Sequence, residues 1–567
     1  MHNYRIDNPL IVQADQTVLA EVECPRYAEA RDQLARFAEL IKSPEHIHTY
    51  RITPLSIWNA RAVGIEPDAI VGALTEFSKF PVPDTVTHEI HEYASRYGRL
   101  QLFRYANALI LRIADVPLAE EIAHHPRVRT HLGPRVSPTE YFVDPDARGQ
   151  IKLALIKAGF PAEDLAGYVE GEPLPMALRE ATLTGAPFNL RQYQVMAADA
   201  FHAAGTERGG SGVVVLPCGA GKTIVGMSAM AKAQTSTLIL TTGVTASRQW
   251  IGELLDKTTL DADQIGEYNG LTKEVRPVTV ATYNIMTWRE RRDAEFEHLH
   301  LFDHHNWGLI IYDEVHLLPA PVFQVTAGLQ ARRRLGLTAT LVREDGLEED
   351  VFALIGPKKF DVPWKDLEHQ GWIARAVCRE IRVPLNDERR LEYLAADARA
   401  KFRIASENPD KTVIVRHLLR FHAEEPTLII GMYVEQIQEI ARDLDVAVIT
   451  GSTPQWKRDK LYAEFRGGQR RLLAVTKVAN FAVDLPDASV AIQLSGTFGS
   501  RQEEAQRLGR ILRPKPGANQ AHFYALVSRD TAEEEFAHKR QLFLCEQGYM
   551  YQIYDVEKLP GYGETHA

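Results

Sequence analysis

Val213-Val214-Val215-Leu216-Pro217-Cys218-Gly219-Ala220-Gly221-Lys222-Thr223 reads as an apolar strand, a loop of small residues, and a Lys-Thr pair opening a helix. Backbone N–H groups of such a loop can approach phosphate oxygens closely only where side chains are small, which favours glycine and alanine. The positive end of the following helix faces the same anion. The pattern predicts that Leu216, Pro217, Cys218, Gly219, Ala220 and Gly221 cradle a triphosphate. Lys222 would reach its β/γ-phosphates, and the Thr223 hydroxyl would bind Mg²⁺. Leu216 stands where G-x-x-x-x-G-K-[ST] has its first glycine, so a glycine-rich turn without a ligand is the competing reading.

Working outward, short runs rich in Val, Ile and Leu alternate with helical patterns. The runs are at 213–216, 238–240, 278–281, 309–312 and 334–337, and again at 428–431, 446–449, 472–475, 490–494 and 523–527. Apolar strands alternating with helices predict parallel sheets covered on both faces. Two successive series predict two α/β domains, over 186–356 and 357–567, joined near Gly356-Pro357 or Gly371. The fourth run ends in Asp313-Glu314-Val315-His316. Carboxylates at the C-terminal end of a strand lie where α/β sheets bind ligands. Asp313 is expected to hold Mg²⁺, directly or through water, and Glu314 to activate the attacking water. Gln506-Arg507-Leu508-Gly509-Arg510-Ile511-Leu512-Arg513 puts Arg510 and Arg513 on one face of a helix. They are candidates to stabilise charge on the γ-phosphate, or else part of a solvated surface.

The first 185 residues have a different texture. Helical spacing covers 27–40, 55–63 and 68–77, and Asp84 is the expected N-cap of a further helix. Two strands at 99–103 and 109–113 then predict a hairpin. This is a helical, winged-helix-like domain over 1–128, or a plain small α+β domain, followed by a short α+β piece over 129–185. The composition bounds the rest. The chain has 567 residues, of which 65 are Lys or Arg and 75 Asp or Glu, for a net charge of −10. That excludes a strongly basic nucleic-acid coat protein but not a motor with a local phosphate-gripping groove. The four cysteines, Cys24, Cys218, Cys378 and Cys545, are scattered, which excludes an obvious zinc ribbon or iron–sulfur cluster and suggests a reducing compartment. With no apolar run of membrane length and no signal-peptide layout, the expected location is the cytoplasm, associated with the nucleoid.

In this order, the motifs resemble those of a superfamily-2 nucleic-acid motor with two RecA-like domains and a DExH-type box. Leu190-Arg191-Gln192-Tyr193-Gln194 looks like the adenine-contacting segment, with Arg191 and Gln194 as its binding residues. Thr241-Thr242 and Gln249-Trp250 look like motif Ia, Ala281-Thr282-Tyr283 like motif Ic, and Leu337-Thr338-Ala339-Thr340 like motif III. The match narrows to XPB helicases at Arg343-Glu344-Asp345, at the segment from Gly499 to Arg510, and at Lys539-Arg540-Gln541 with Glu546-Gln547-Gly548-Tyr549. The Pro-Cys-Gly-Ala-Gly-Lys loop also resembles the XPB form, which accounts for Leu216. The resemblance is to the short prokaryotic form.

It implies an α/β fold with two RecA-like parallel-sheet domains preceded by an α+β N-terminal region. It implies an ATP- and Mg²⁺-dependent 3′–5′ DNA helicase acting in DNA repair at single-strand/duplex junctions. It implies DNA-contacting or coupling roles for Gln249, His316, Thr338, Thr340, Arg343, Glu344, Asp345, Asp484 and Gln506. It also implies a thumb-like insertion, placed at 386–411, whose Arg389, Arg390, Arg399, Lys401 and Arg403 either face DNA or form a solvated helix face. Motif V departs from the eukaryotic pattern. Asn480, Phe481 and Ala482 precede Asp484 where polar residues are usual, which predicts weaker coupling of DNA to ATP. A duplex-DNA translocase and an ATP-gated DNA clamp that recruits a nuclease partner are the alternatives.

Overall fold

The computed structural model describes residues 5–558 apart from 44–45, 106–107, 218, 292–295, 299–300, 330–331, 340–346, 363–366, 368–369, 373–374, 477–487, 496–519, 547–548 and 550. Strand Ser211–Val215 is buried along its whole length, as a strand covered on both faces must be. It is flanked in parallel by Arg333–Thr338 and Lys358–Asp361. Beyond Arg333–Thr338 come Leu309–Asp313, Thr237–Thr241, Val278–Thr282 and Ile265–Tyr268, completing a seven-stranded sheet. Every pairing in it is parallel. The register sets Val215 beside Thr338 and Asp313 beside Leu337. The ends of three adjacent strands therefore open on one site.

The second sheet is also seven-stranded and parallel, in the order Ala447–Ile449, Leu472–Thr476, Thr427–Gly431, Val490–Gln493, Gln520–Ser528, Arg375–Val383 and Tyr551–Asp555. All ten runs expected to be strands are strands. Four more were not anticipated. Lys358–Asp361 and Tyr551–Asp555 are sheet edges, Ile265–Tyr268 has four residues, and charged residues interrupt the apolar pattern of Arg375–Val383. Because Lys358–Asp361 pairs with Ser211–Val215, the first sheet runs past the boundary expected at residue 356.

Where the thumb-like insertion is expected, helices Asp387–Ala395 and Ala398–Ser406 are started by the side chains of Asn386 and Asp397, which accept from Arg389 N and Ala400 N. Arg389 is bonded to Glu392 at 2.6 Å and Arg403 to Glu407 at 2.9 Å. At least two of the five basic residues noted there are thus engaged with carboxylates.

The N-terminal region departs most from expectation. Helix Tyr27–Leu34 stops short of residue 40, and Glu39–Lys42 is instead a strand. It joins Leu10–Val12, Thr17–Glu21 and Ile47–Arg51 in a four-stranded antiparallel sheet. Helices Pro54–Ala62, Pro67–Phe77 and Asp84–Arg96 follow. Asp84 is the first helical residue rather than the cap, a position held by Pro83. The predicted hairpin forms as Leu100–Tyr105 with Ala108–Ile113. Its strands belong to a five-stranded sheet with Arg135–Ser137, Glu140–Val143 and Ala162–Leu165, so the division expected at residue 128 runs through this sheet. No helix among the described residues is long and apolar enough to cross a membrane.

A buried ion cluster fastens this second sheet to the first α/β sheet. Asp164 accepts from Arg148 at 2.6 Å and from Lys152 at 2.8 Å, and all three side chains are buried. Arg334, on the strand that ends at Thr338, and Arg148 both pack on the Tyr168 ring, 5.7 and 5.6 Å from its centre. Burial pushes the Asp164 carboxyl up, but the charges of Lys152 and Arg148 outweigh it and hold the group well below the carboxylate range. A depressed carboxyl pKa contributes stability above about pH 4 that is lost as pH falls below it. Burial also draws the Lys152 amine down to about 8, against the pull of Asp164. Asp164→Asn should therefore cost about 3–5 kcal/mol, since it leaves buried cations uncompensated. Urea melts at pH 7 would read that loss. Melts between pH 5 and 3 should show a steeper acid decline in the wild type than in the variant.

Candidate active site

The loop after Ser211–Val215 is shaped by two left-handed glycines, Gly219 at φ +82° and Gly221 at φ +83°. At Gly221 the constraint is also spatial, since a Cβ there would lie 2.6 Å from Gln194 Nε2. Leu216, Pro217 and Ala220 are buried, and Cys218 lies outside the described residues. Gly221 caps helix Lys222–Ala233, so Lys222 and Thr223 occupy its first turn, where the helix dipole favours an anion.

The segment at 190–194 holds this loop from behind. Gln194 Oε1 accepts from Arg191 N at 2.9 Å, and Gln194 Nε2 donates to the Ala220 carbonyl at 3.0 Å. The Tyr193 hydroxyl donates to the same carbonyl at 2.7 Å. Arg191 lies 4.6 Å from the centre of the Trp372 ring, on the stretch between the two α/β sheets.

Across the loop, Lys222 Nζ meets Glu314 Oε1 at 2.5 Å. Glu314 has a left-handed backbone, φ +51°. For a residue with a Cβ this is a strained conformation of a kind that concentrates at functional sites. Burial pushes the Glu314 carboxyl up, but Lys222 and then His316 outweigh it and hold it below its ordinary value. Asp313 is pushed up to about 6, by burial and then by the Glu314 charge. A divalent cation would relieve that repulsion, and the hard oxygen donors of Asp313 and Thr223 suit Mg²⁺.

His316 Nδ1 lies 2.5 Å from Thr338 Oγ1 and 3.5 Å from Glu314 Oε2. This chain of contacts joins the strand end carrying the carboxylates to the strand end of the expected motif III. Gln249 is exposed on helix Val244–Lys257, while its neighbour Trp250 is buried.

Two residues of the site were noted in the sequence only as motif neighbours. Trp250 Nε1 donates to Asp313 Oδ2 at 2.9 Å, and the Tyr283 hydroxyl donates to the Asp313 carbonyl at 2.9 Å. Trp250 can lie against helix Lys222–Ala233 because Gly226 leaves room, where a Cβ would come within 2.5 Å of the indole. A glycine inside a helix costs up to about 1 kcal/mol. That cost, beside a helical tryptophan, is the signal that could have marked the pair.

The structure thus brings together Leu216, Pro217, Gly219, Ala220, Gly221, Lys222, Thr223, Arg191, Gln194, Asp313, Glu314, His316 and Thr338. Thr340, Arg343, Glu344, Asp345, Asp484, Gln506, Arg510 and Arg513 lie outside the described residues.

The family model for the ERCC3/RAD25/XPB C-terminal helicase matches residues 367–565. The model for the res subunit of type III restriction enzymes matches 187–343, and one for a helicase conserved C-terminal domain matches 10–137. The chain is 53% identical over 556 residues to the DNA 3′-5′ helicase XPB of Kineococcus radiotolerans, covering 98% of each chain. It is 52% identical over 556 residues to the protein of that name from Mycobacterium tuberculosis, covering 98% of this chain and 99% of that one. It is 34% identical over 578 residues to the general transcription and DNA repair factor IIH helicase/translocase subunit XPB of Antonospora locustae, covering 98% of this chain and 82% of that one.

Proposed function

Because this chain belongs to the XPB family of helicases, we propose that it couples ATP hydrolysis at Lys222, Asp313 and Glu314 to 3′–5′ movement on DNA and strand separation in DNA repair. What supports this reading is the ion pair of Lys222 with Glu314 and the closeness of Asp313 to both, at the ends of parallel strands of one sheet. The loop amides and Lys222 bind the triphosphate, exchanging the Glu314 contact for phosphate oxygens. Thr223 and Asp313 are the residues that would hold Mg²⁺, which would supply charge neutralisation to the phosphates. Released from Lys222, Glu314 orients the attacking water and accepts its proton. Trp250 and Tyr283 keep the Asp313 end of the strand in place. The contact of His316 with Thr338 is the route by which the carboxylate end senses motif III. Arg510 and Arg513 of the second α/β domain supply positive charge to the γ-phosphate when the domains close.

DNA affinity then comes from a local groove despite the overall charge of −10. Neutralising Z phosphates gives a log–log salt slope of about −0.7Z for single strands and about −0.9Z for duplex. A salt titration of binding should therefore show a slope of several units, and a flat titration would count against phosphate tracking. Two further activities are outcomes of one set of assays. Triplex displacement without strand displacement would mark a duplex translocase. ATP turnover independent of DNA length would mark a clamp, for which a nuclease is the expected partner.

A further inference from the structure

The first α/β sheet meets the five-stranded N-terminal sheet and the end of helix Pro54–Ala62 around a cavity of about 580 Å³, a volume within the usual range of small-molecule sites. Neither Lys222 nor Glu314 lines it. Five basic side chains face it against three acidic ones. All three acids are already engaged. Asp164 is held by Arg148 and Lys152. Glu66 pairs with Arg61 at 2.5 Å. Glu163 accepts from Gln101 at 3.1 Å and pairs with Arg208 at 3.3 Å.

Of the five cations, Arg61, Lys152 and Arg208 are the partners just named and Arg99 pairs with Asp115, which leaves Lys359 as the exception. Lys359 Nζ donates to the Arg208 backbone carbonyl at 2.9 Å and pairs with no carboxylate among the described residues. Burial draws its pKa down, with Glu163 pulling the other way. Arg61 Nε is buried and has no hydrogen-bond partner among the described residues. The Lys359 stem is seated across Gly212, where a Cβ would fall 2.4 Å from Lys359 Cγ. Tyr97 and the buried Phe352 add aromatic wall. A half-buried ammonium without a direct ion pair, in a cavity whose wall also holds an unsatisfied guanidinium nitrogen, is destabilising unless an anion completes it.

We propose that this cavity binds a phosphate-bearing ligand the size of one nucleotide, whose phosphate oxygens accept from Lys359 Nζ, with the Arg61 guanidinium adding positive charge to the same wall. The same chemistry has two sources: a free mononucleotide, or a single nucleotide extruded from a DNA strand. The site goes beyond the ATPase reading and does not depend on it.

The test uses the full-length chain carrying Lys222→Ala, so that the active site does not compete. Calorimetric titration with 2′-deoxyadenosine 5′-monophosphate should show one site, for which inorganic phosphate competes. Adding Lys359→Met or Arg61→Gln should weaken binding at least tenfold. Without ligand, Lys359→Met should melt no lower than its parent, because a half-buried charge without a direct ion pair has gone, and the ligand-induced rise in Tm should vanish. If that variant melts early, Arg61→Gln carries the same comparison. Duplexes with and without one unpaired nucleotide separate the sources. A preference for the unpaired nucleotide that Lys359→Met abolishes assigns the ligand to DNA. Mononucleotide binding without such a preference assigns it to the free molecule. Binding unchanged in both variants, or no binding of either probe together with no preference, overturns the proposal.

Discussion

Replacing Glu314 by glutamine should leave ATP binding intact and slow turnover by about 10²–10⁴-fold, the usual contribution of a positioned general base. The amide keeps the shape of the side chain but cannot take the proton of the attacking water. It also weakens the contact with Lys222, which stands at 2.5 Å. The variant should therefore bind ATP no more weakly than the wild type, because Lys222 no longer has to leave a carboxylate. Lys222→Ala should do the opposite, losing nucleotide affinity and turnover together. Equilibrium binding of a fluorescent ATP analogue, with single-turnover hydrolysis, separates the two. Wild-type turnover in both variants would remove Lys222 and Glu314 from the reaction.

Arg510→Ala and Arg513→Ala should each lower DNA-stimulated kcat steeply, by up to about 10³–10⁵-fold if either acts as an arginine finger, with ATP affinity little changed. The argument is one of position in the chain. Lys222 and Glu314 belong to the first parallel sheet, and the two arginines follow strand Val490–Gln493 of the second. A guanidinium from the second domain reaches the γ-phosphate only on closure, so DNA that favours the closed state stimulates turnover as a population shift. If the arginines instead bridge local carboxylates such as Glu503 and Glu504, the variants should melt early while their folded fraction hydrolyses ATP normally. Thermal melts run beside the kinetics distinguish the two.

The ten expected strands were legible because each is a Val-, Ile- or Leu-rich run bounded by helical spacing, the pattern that burial on both faces imposes. The phosphate loop was legible for a related reason, since close backbone approach to an anion restricts side-chain size over several consecutive positions. The N-terminal sheet was not. Thr17–Glu21 and Ile47–Arg51 are half-buried and mixed in polarity, and Glu39–Lys42 continues a helical spacing that ends in fact at Leu34. The positioning residues were hidden by sequence distance. Trp250 reaches Asp313 across 63 positions. The ion cluster at Asp164 is made by Arg148 and Lys152, 16 and 12 positions away, and no local pattern marked either charge as buried. The cavity at Lys359 is assembled from two separate sheets and the end of a helix, and no local pattern announces it.

Strand displacement from duplexes bearing either a 3′ or a 5′ single-stranded tail tests the central claim most directly, with wild-type protein and Glu314→Gln run side by side. ATP-dependent release from the 3′-tailed duplex alone, lost in Glu314→Gln, is the predicted result. Release from the 5′-tailed duplex, or 3′-tailed release undiminished in Glu314→Gln, would contradict it.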